Sequence, residues 1–109
     1  MFLTANQTLE IQLNTSPVLP IQVAIDYADH TTRIPIAGNV TIQVASSPTI
    51  ILSGTTRQVK NITIFNPNIP PQEIEVKIIQ NYPTPVIRKV ANLYSNQTLQ
   101  YTDHTGWSI

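Results

Sequence analysis

Two Asp-His-Thr tripeptides hold the side chains best suited to chemistry, and they lie far apart in the sequence: Asp29-His30-Thr31 and Asp103-His104-Thr105. Imidazole and carboxylate groups together bind zinc and other divalent cations, so a shared metal site would need the two tripeptides to meet. Asp and His also fill exposed turns, where the Asp carboxylate bonds to its own backbone. Because the tight ligand spacing of a metal motif is missing, the sequence favours two turns and predicts no metal site.

Other catalytic patterns are equally weak. Serine and threonine are abundant, but no Gly-x-Ser-x-Gly elbow marks one of them as a nucleophile. The three glycines are too few for a phosphate-binding glycine loop. Glu73 and Glu75 share one face of an alternating strand, where a solvated surface is a simpler explanation than acid–base catalysis. We therefore predict a protein that is not an enzyme and needs no cofactor.

The elements that position these residues are predicted to be strands, because branched apolar residues alternate with polar ones. Alternation places one set of side chains on one face of each strand, as in half-buried antiparallel sheets. The predicted inward positions are Leu9, Ile11, Leu13, Ile21, Val23, Ile25, Tyr27, Val40, Ile42, Val44, Ile62, Ile64, Ile74, Val76, Ile78, Leu99 and Tyr101.

Turn residues separate these runs at intervals of about 8–12 residues, which is typical of a sandwich or small barrel. Nine prolines argue against a long helix. We predict one all-β domain over residues 1–109, a small antiparallel β-sandwich (Ig-like or jelly-roll-like) of about eight strands, with residues 1–20 as a possible arm or edge strand. The predicted breaks are 14–20, 29–33, 37–39, 46–48, 53–55, 66–71, 81–85, 94–96 and 103–106.

Charge and composition narrow the range of partners. Six basic and six acidic residues give a net charge of zero, whereas nucleic-acid binders show a basic excess. Charged residues make up 11% of the chain, so much of the surface is expected to be covered in an assembly. No secretory signal or membrane segment is recognisable. The absence of cysteine fits a reducing compartment. We expect neither nucleic acid nor membrane as a partner.

Three segments carry a resemblance to a known class of protein: Gly54 to Asn66, which contains Thr-Thr-Arg-Gln-Val-Lys; Val86-Ile87-Arg88-Lys89-Val90; and Thr98 to Ile109, which contains Leu-Gln-Tyr-Thr-Asp and Gly-Trp-Ser. In this order they resemble small β-structured virion proteins of tailed bacteriophages, which share such a strand opening, a central strand and a closing hairpin. The resemblance covers residues 54–109, about half of the chain.

The resemblance implies a virion structural protein, most simply a capsid cement (decoration) protein. Such a protein binds the outer shell and copies of itself and stabilises contacts between major capsid subunits, after assembly in the host cytoplasm. The candidate structural or interface residues are Phe2, Arg57, Tyr101 and Trp107. Trp107 is expected to pack on the core edge, although an exposed anchor is the alternative.

Two other functions stay open from the sequence. A head–tail joining, neck or tail protein would show the same features. A carbohydrate-binding β-sandwich module would need several coplanar exposed rings, and Tyr82 and Tyr94 lie in or near turns.

Overall fold

The computed structural model describes residues 1–42, 49–51, 53–70, 72–82 and 84–109. The strands are β1 (Phe2–Leu3), β2 (Thr8–Leu13), β3 (Ile21–Asp29), β4 (Pro35–Ile42), β5 (Thr49–Ile51), β6 (Arg57–Phe65), β7 (Ile74–Asn81), β8 (Val86–Leu93), β9 (Thr98–Thr102) and β10 (Gly106–Ser108). These residues contain no helix, and therefore none long and apolar enough to cross a membrane.

Two antiparallel sheets pack together as a β-sandwich, as predicted. Sheet A has the order β10-β9-β6-β3-β4, with β1 added alongside β6, and sheet B has the order β5-β2-β7-β8. Three hairpins, β3–β4, β7–β8 and β9–β10, stay within one sheet, and the other pairs of consecutive strands lie in different sheets. The structure has ten strands where about eight were predicted, because a strand as short as β1 cannot show an alternation of apolar and polar residues.

The core lies between the sheets and is built from the predicted alternating residues. All of the predicted inward residues in the described chain are buried except Tyr27 and Val40, which are partly buried against the same cluster. Val44 lies outside the described residues. Period-2 alternation predicts this core well because every inward residue of a strand shares one face.

The N-terminal segment is integrated into the fold, so the arm, one of the two predicted alternatives for residues 1–20, is wrong. Leu3 is buried, and β1 pairs antiparallel with β6. β2 is an interior strand of sheet B, paired with both β5 and β7. The alternation of β2 buries three apolar side chains, and an arm held away from the domain would expose them.

One further expectation is corrected. The predicted break at residues 37–39 lies inside β4, where Gly38 pairs directly with Ile25. A glycine is tolerated there because β4 is an edge strand and its partner supplies the packing. The strand beginning at Val86, the second of the three segments in the resemblance, forms one edge of sheet B. The predicted break at residues 46–48 lies outside the described residues.

Candidate interaction surface

An exposed apolar surface lies at one end of the sandwich, where the β2–β3 and β6–β7 loops meet. Val18 is 83% exposed, Leu19 46% and Ile69 76%. Together with Pro70 and the side chains of Asn68 and Gln72 they line a groove of about 430 Å³. We call these six residues the loop-end platform. None of them is charged, and such a cluster of exposed aliphatic side chains is typical of an interaction site.

The platform is held in place by the amide of Asn68. Its Nδ2 donates to the Leu19 carbonyl oxygen at 2.9 Å, and its Oδ1 accepts from the Leu19 N–H at 2.6 Å. Gln72 adds a second link, because its Oε1 accepts from the Val18 N–H at 3.1 Å. The side chains of one loop therefore pair with the backbone of the other, much as a second strand would.

A second buried amide, Asn66, ties a third loop to the platform. Its Oδ1 accepts from the N–H and the Nδ2 of Asn68, and its Nδ2 donates to the carbonyl oxygens of Leu93 and Tyr94. Its own backbone carbonyl accepts from the N–H of Asn96. Asn66 and Asn68 are almost fully buried. Because a buried amide is stable only when its hydrogen bonds are made, this network fixes the loop geometry.

The sequence did not indicate this platform. Residues 66–71 were predicted as a break because of their prolines, and the described part of that segment is indeed outside the strands. Nothing in the residue types shows that Asn66 and Asn68 are buried, because asparagine is usually exposed. The pattern Asn-Pro-Asn between two predicted strands was the only sequence feature that marked this loop.

The opposite end of the sandwich is organised around the α-ammonium group of Met1. This group lies 2.9 Å from Oδ1 of Asp103 and also donates to the hydroxyl oxygen of Tyr101. Gln58 Nε2 donates to the other carboxylate oxygen of Asp103 at 2.8 Å, and Lys60 Nζ lies 3.6 Å from it. The Asp103 carboxylate is thus the common partner of groups from β6, β9 and the first residue.

These contacts set the pKa of two groups. Burial opposes ionisation of Asp103, but hydrogen bonding and charge attraction from the Met1 ammonium outweigh it, with help from Tyr101 and Lys60, so the pKa lies below its ordinary value. Burial, and then the negative charge of Asp103, raise the pKa of the Tyr101 hydroxyl. Both shifts favour the ionised Asp103 beside a neutral Tyr101.

The two Asp-His-Thr turns lie at this same end, but each Asp is already engaged. Oδ1 of Asp29 accepts from the N–H groups of Thr31 and Thr32, each at 2.9 Å. The backbone hydrogen bond from Thr32, followed by that from the Thr55 side chain, lowers the pKa of Asp29. The Asp29 carboxylate therefore stabilises its own turn, as the alternative to a metal site predicted, whereas the Asp103 carboxylate bonds to Met1 and Gln58 outside its turn. Within the described chain no three His, Cys, Asp or Glu residues converge.

Three of the four residues singled out from the sequence gather around the Met1 end. Tyr101 is buried, and Trp107 lies directly opposite it on β10 with ring centroids 4.9 Å apart. Trp107 is partly buried against the core cluster. Phe2 is exposed and meets the His30 ring edge-on at 5.0 Å.

Arg57, the fourth residue, pairs with Leu3 of β1 close to this group, but its side chain extends over β3. Its guanidinium stacks over the Tyr27 ring at 5.5 Å. Such a contact orients the side chain along the sheet surface. None of the four candidate residues lines the loop-end platform.

The two exposed tyrosines do not form one surface. Tyr82 precedes β8 and Tyr94 follows it, so the length of an eight-residue strand, about 26 Å, separates them. Rings this far apart do not form the group of neighbouring coplanar rings that the carbohydrate-binding alternative needs.

No protein-family model, curated protein or solved structure matches the chain.

Proposed function

We propose that this chain is a structural protein of a tailed-bacteriophage virion, specifically a capsid cement protein that binds the outer shell and stabilises contacts between major capsid subunits. Its partners are the major capsid protein and other copies of this chain. The proposed role is non-enzymatic, requires no cofactor and places the mature protein in the virion. The resemblance of residues 54–109 to small β-structured virion proteins is the origin of the proposal.

The loop-end platform is the observation that carries the proposal. Val18, Leu19 and Ile69 project from loops that are fixed by the buried Asn66 and Asn68, so little side-chain or loop ordering is required on binding. A preformed apolar surface suits a protein that binds many equivalent sites on a shell. Because the platform carries no charge, we propose that it binds an uncharged, apolar site at the junction of capsid subunits.

Mass spectrometry of purified virions, with copy number measured against the major capsid protein, tests the role. Hundreds of copies per particle support a shell protein. A dozen or fewer would place the chain at the neck or tail and overturn the cement assignment. Absence from the particle would overturn the virion role altogether.

Binding to capsids that lack the protein tests the platform. Ile69→Asp introduces a charge into its centre and should abolish shell occupancy without unfolding the protein, because Ile69 is highly exposed. Val86→Asp is the matched control, since Val86 is an exposed apolar residue at the opposite end. Equal occupancy by the two variants would show that the platform is not the binding surface.

A further inference from the structure

β4 is an open edge of sheet A, and apart from Pro35 at its start it lacks the features that usually protect such an edge. Within the described chain it pairs only with β3. Its eight residues, Pro35–Ile42, include no charged side chain. Exposed edges of this length present unpaired N–H and C=O groups and are templates for another strand.

The other edges of the sandwich contrast with β4. β5 and β10 have three residues each. β8 has eight residues but contains Arg88 and Lys89 and is interrupted by a bulge opposite Ile78 and Ile79. Lys89 pairs with the buried Ile78, so its charge is on the inward face, which is a known device against edge pairing. β8 is thus better protected than β4 against pairing with a further strand, and this indicates that the β4 edge has a partner.

The register of the β3–β4 hairpin identifies which backbone groups are open. The N–H of Asp29 donates to the carbonyl oxygen of Ile34. Bonded and non-bonded pairs alternate along an antiparallel ladder, so Ile36, Gly38 and Val40 bond to β3. The N–H and C=O groups of the residues between them point away from the sheet, and those residues are Ala37, Asn39 and Thr41.

We propose that β4 pairs antiparallel with β4 of a second copy, which joins sheet A of the two copies into one continuous sheet around a twofold axis at Asn39. This inference deepens the proposed function, on which it rests, by naming the contact between copies. A second copy fits because self-pairing of β4 brings no like charges together, whereas self-pairing of β8 would oppose its cations.

The Asn39 register pairs all three of the open residues with one another, and Pro35 disfavours a shift of the axis towards it. When Asn39 lies opposite Asn39 of the second copy, Ala37 lies opposite Thr41 of the second copy. Every open N–H of these residues then meets an open carbonyl. A shift of the axis to Gly38 would place Pro35 opposite Thr41 and leave one carbonyl in each copy without a donor, because proline has no N–H. The Asn39 register also places the exposed Ile36 beside the second copy.

Disulfide trapping tests the register, since the chain has no cysteine of its own. Asn39→Cys should form a disulfide-linked dimer on mild oxidation, because a bonded antiparallel pair has its Cα atoms about 5.5 Å apart, within disulfide range. Asn92→Cys, on the exposed face of β8, is the matched control and should stay monomeric. Equal crosslinking of the two variants would overturn the proposal.

Sedimentation equilibrium of the purified full chain tests the contact itself, with a dimer expected for the wild type. Asn39→Pro removes an N–H that points away from β3, so it should raise the dimer dissociation constant roughly tenfold or more while the fold survives. Asn39→Lys, which places like charges on the axis, should do the same. A monomeric wild type, or a dimer unaffected by both variants, would refute β4 pairing.

Different experimental results would refute the cement function and the β4 pairing. A β4 dimer that does not bind capsids would overturn the cement function and leave the pairing intact. A monomer that occupies capsids in hundreds of copies would overturn the pairing alone.

Discussion

The ammonium group of Met1 and the carboxylate of Asp103 form an ion pair at 2.9 Å, which joins the first residue of the chain to the β9–β10 turn. Both groups are largely shielded from solvent, and Tyr101 and Gln58 complete their hydrogen bonds. This pair fixes β1 against β6 and makes residues 1–3 part of the sandwich.

Asp103→Asn should destabilise the fold at neutral pH by on the order of 1 kcal/mol, a value that allows for partial exposure of the pair. The folded pKa of Asp103 is below its ordinary value of 3.8, so its contribution is present above that pH and is lost as the pH falls through the folded pKa. Urea unfolding should therefore show a lower free energy of unfolding for the variant than for the wild type at pH 7, and a smaller difference at pH 3.

Asp26→Asn is the control for this prediction, because Asp26 is exposed on β3. Some acid sensitivity should persist in Asp103→Asn, since the pKa of Asp29 is also lowered. A deficit that is the same at both pH values would contradict a role for the Asp103 charge.

Asn68→Ala should lower the free energy of unfolding by roughly 1–3 kcal/mol, because it leaves the Leu19 N–H and C=O without their partner and removes one of the two donors to the Asn66 Oδ1. Hydrogen exchange at the Leu19 amide should accelerate. Asn92→Ala removes an amide from an exposed position and should change neither quantity. Unchanged exchange at Leu19 would show that the two loops are held together by other contacts.

Trp107→Ala should cost roughly 2 kcal/mol, about half the penalty for a fully buried aromatic side chain, since Trp107 is only partly buried. Trp107→Phe should retain most of the contact with Tyr101. Thermal unfolding followed by circular dichroism measures both variants. Identical melting temperatures for wild type and Trp107→Ala would mean that the ring makes no stabilising contact.

Lys89→Val should weaken the protection of the β8 edge, which then keeps only Arg88 and the bulge, so the variant should form concentration-dependent assemblies larger than a dimer. Sedimentation velocity measures their size. Lys77→Val removes the same charge from β7, an interior strand, and should leave assembly unchanged. If Lys89→Val sediments like the wild type, its charge is not what protects this edge.

The sequence predicts the strands and the core of this fold because alternation is a local property. Residues such as Leu9, Ile11 and Leu13 indicate which face of β2 is buried without reference to any partner strand. Pairing is not local, and alternation alone could not place β2 between β5 and β7 or reveal the integrated position of residues 1–3.

The candidate surface was less predictable than the fold. Residues 14–20 and 66–71 were recognised only as breaks, and their exposed aliphatic side chains became a surface once the buried amides of Asn66 and Asn68 brought two loops together. The sequence pointed instead to Tyr101 and Trp107, since aromatic residues are a stronger signal than asparagine. Those two residues stabilise the opposite end.

The position of β2 also determines when the protein can fold during its synthesis. β2 is among the first strands to leave the ribosome, but its principal partner β7 ends at Asn81. Until Asn81 has been made, the three-residue β5 is the only partner in sheet B, among the described strands, that β2 can have. The central pairing of sheet B therefore forms only after the synthesis of β7.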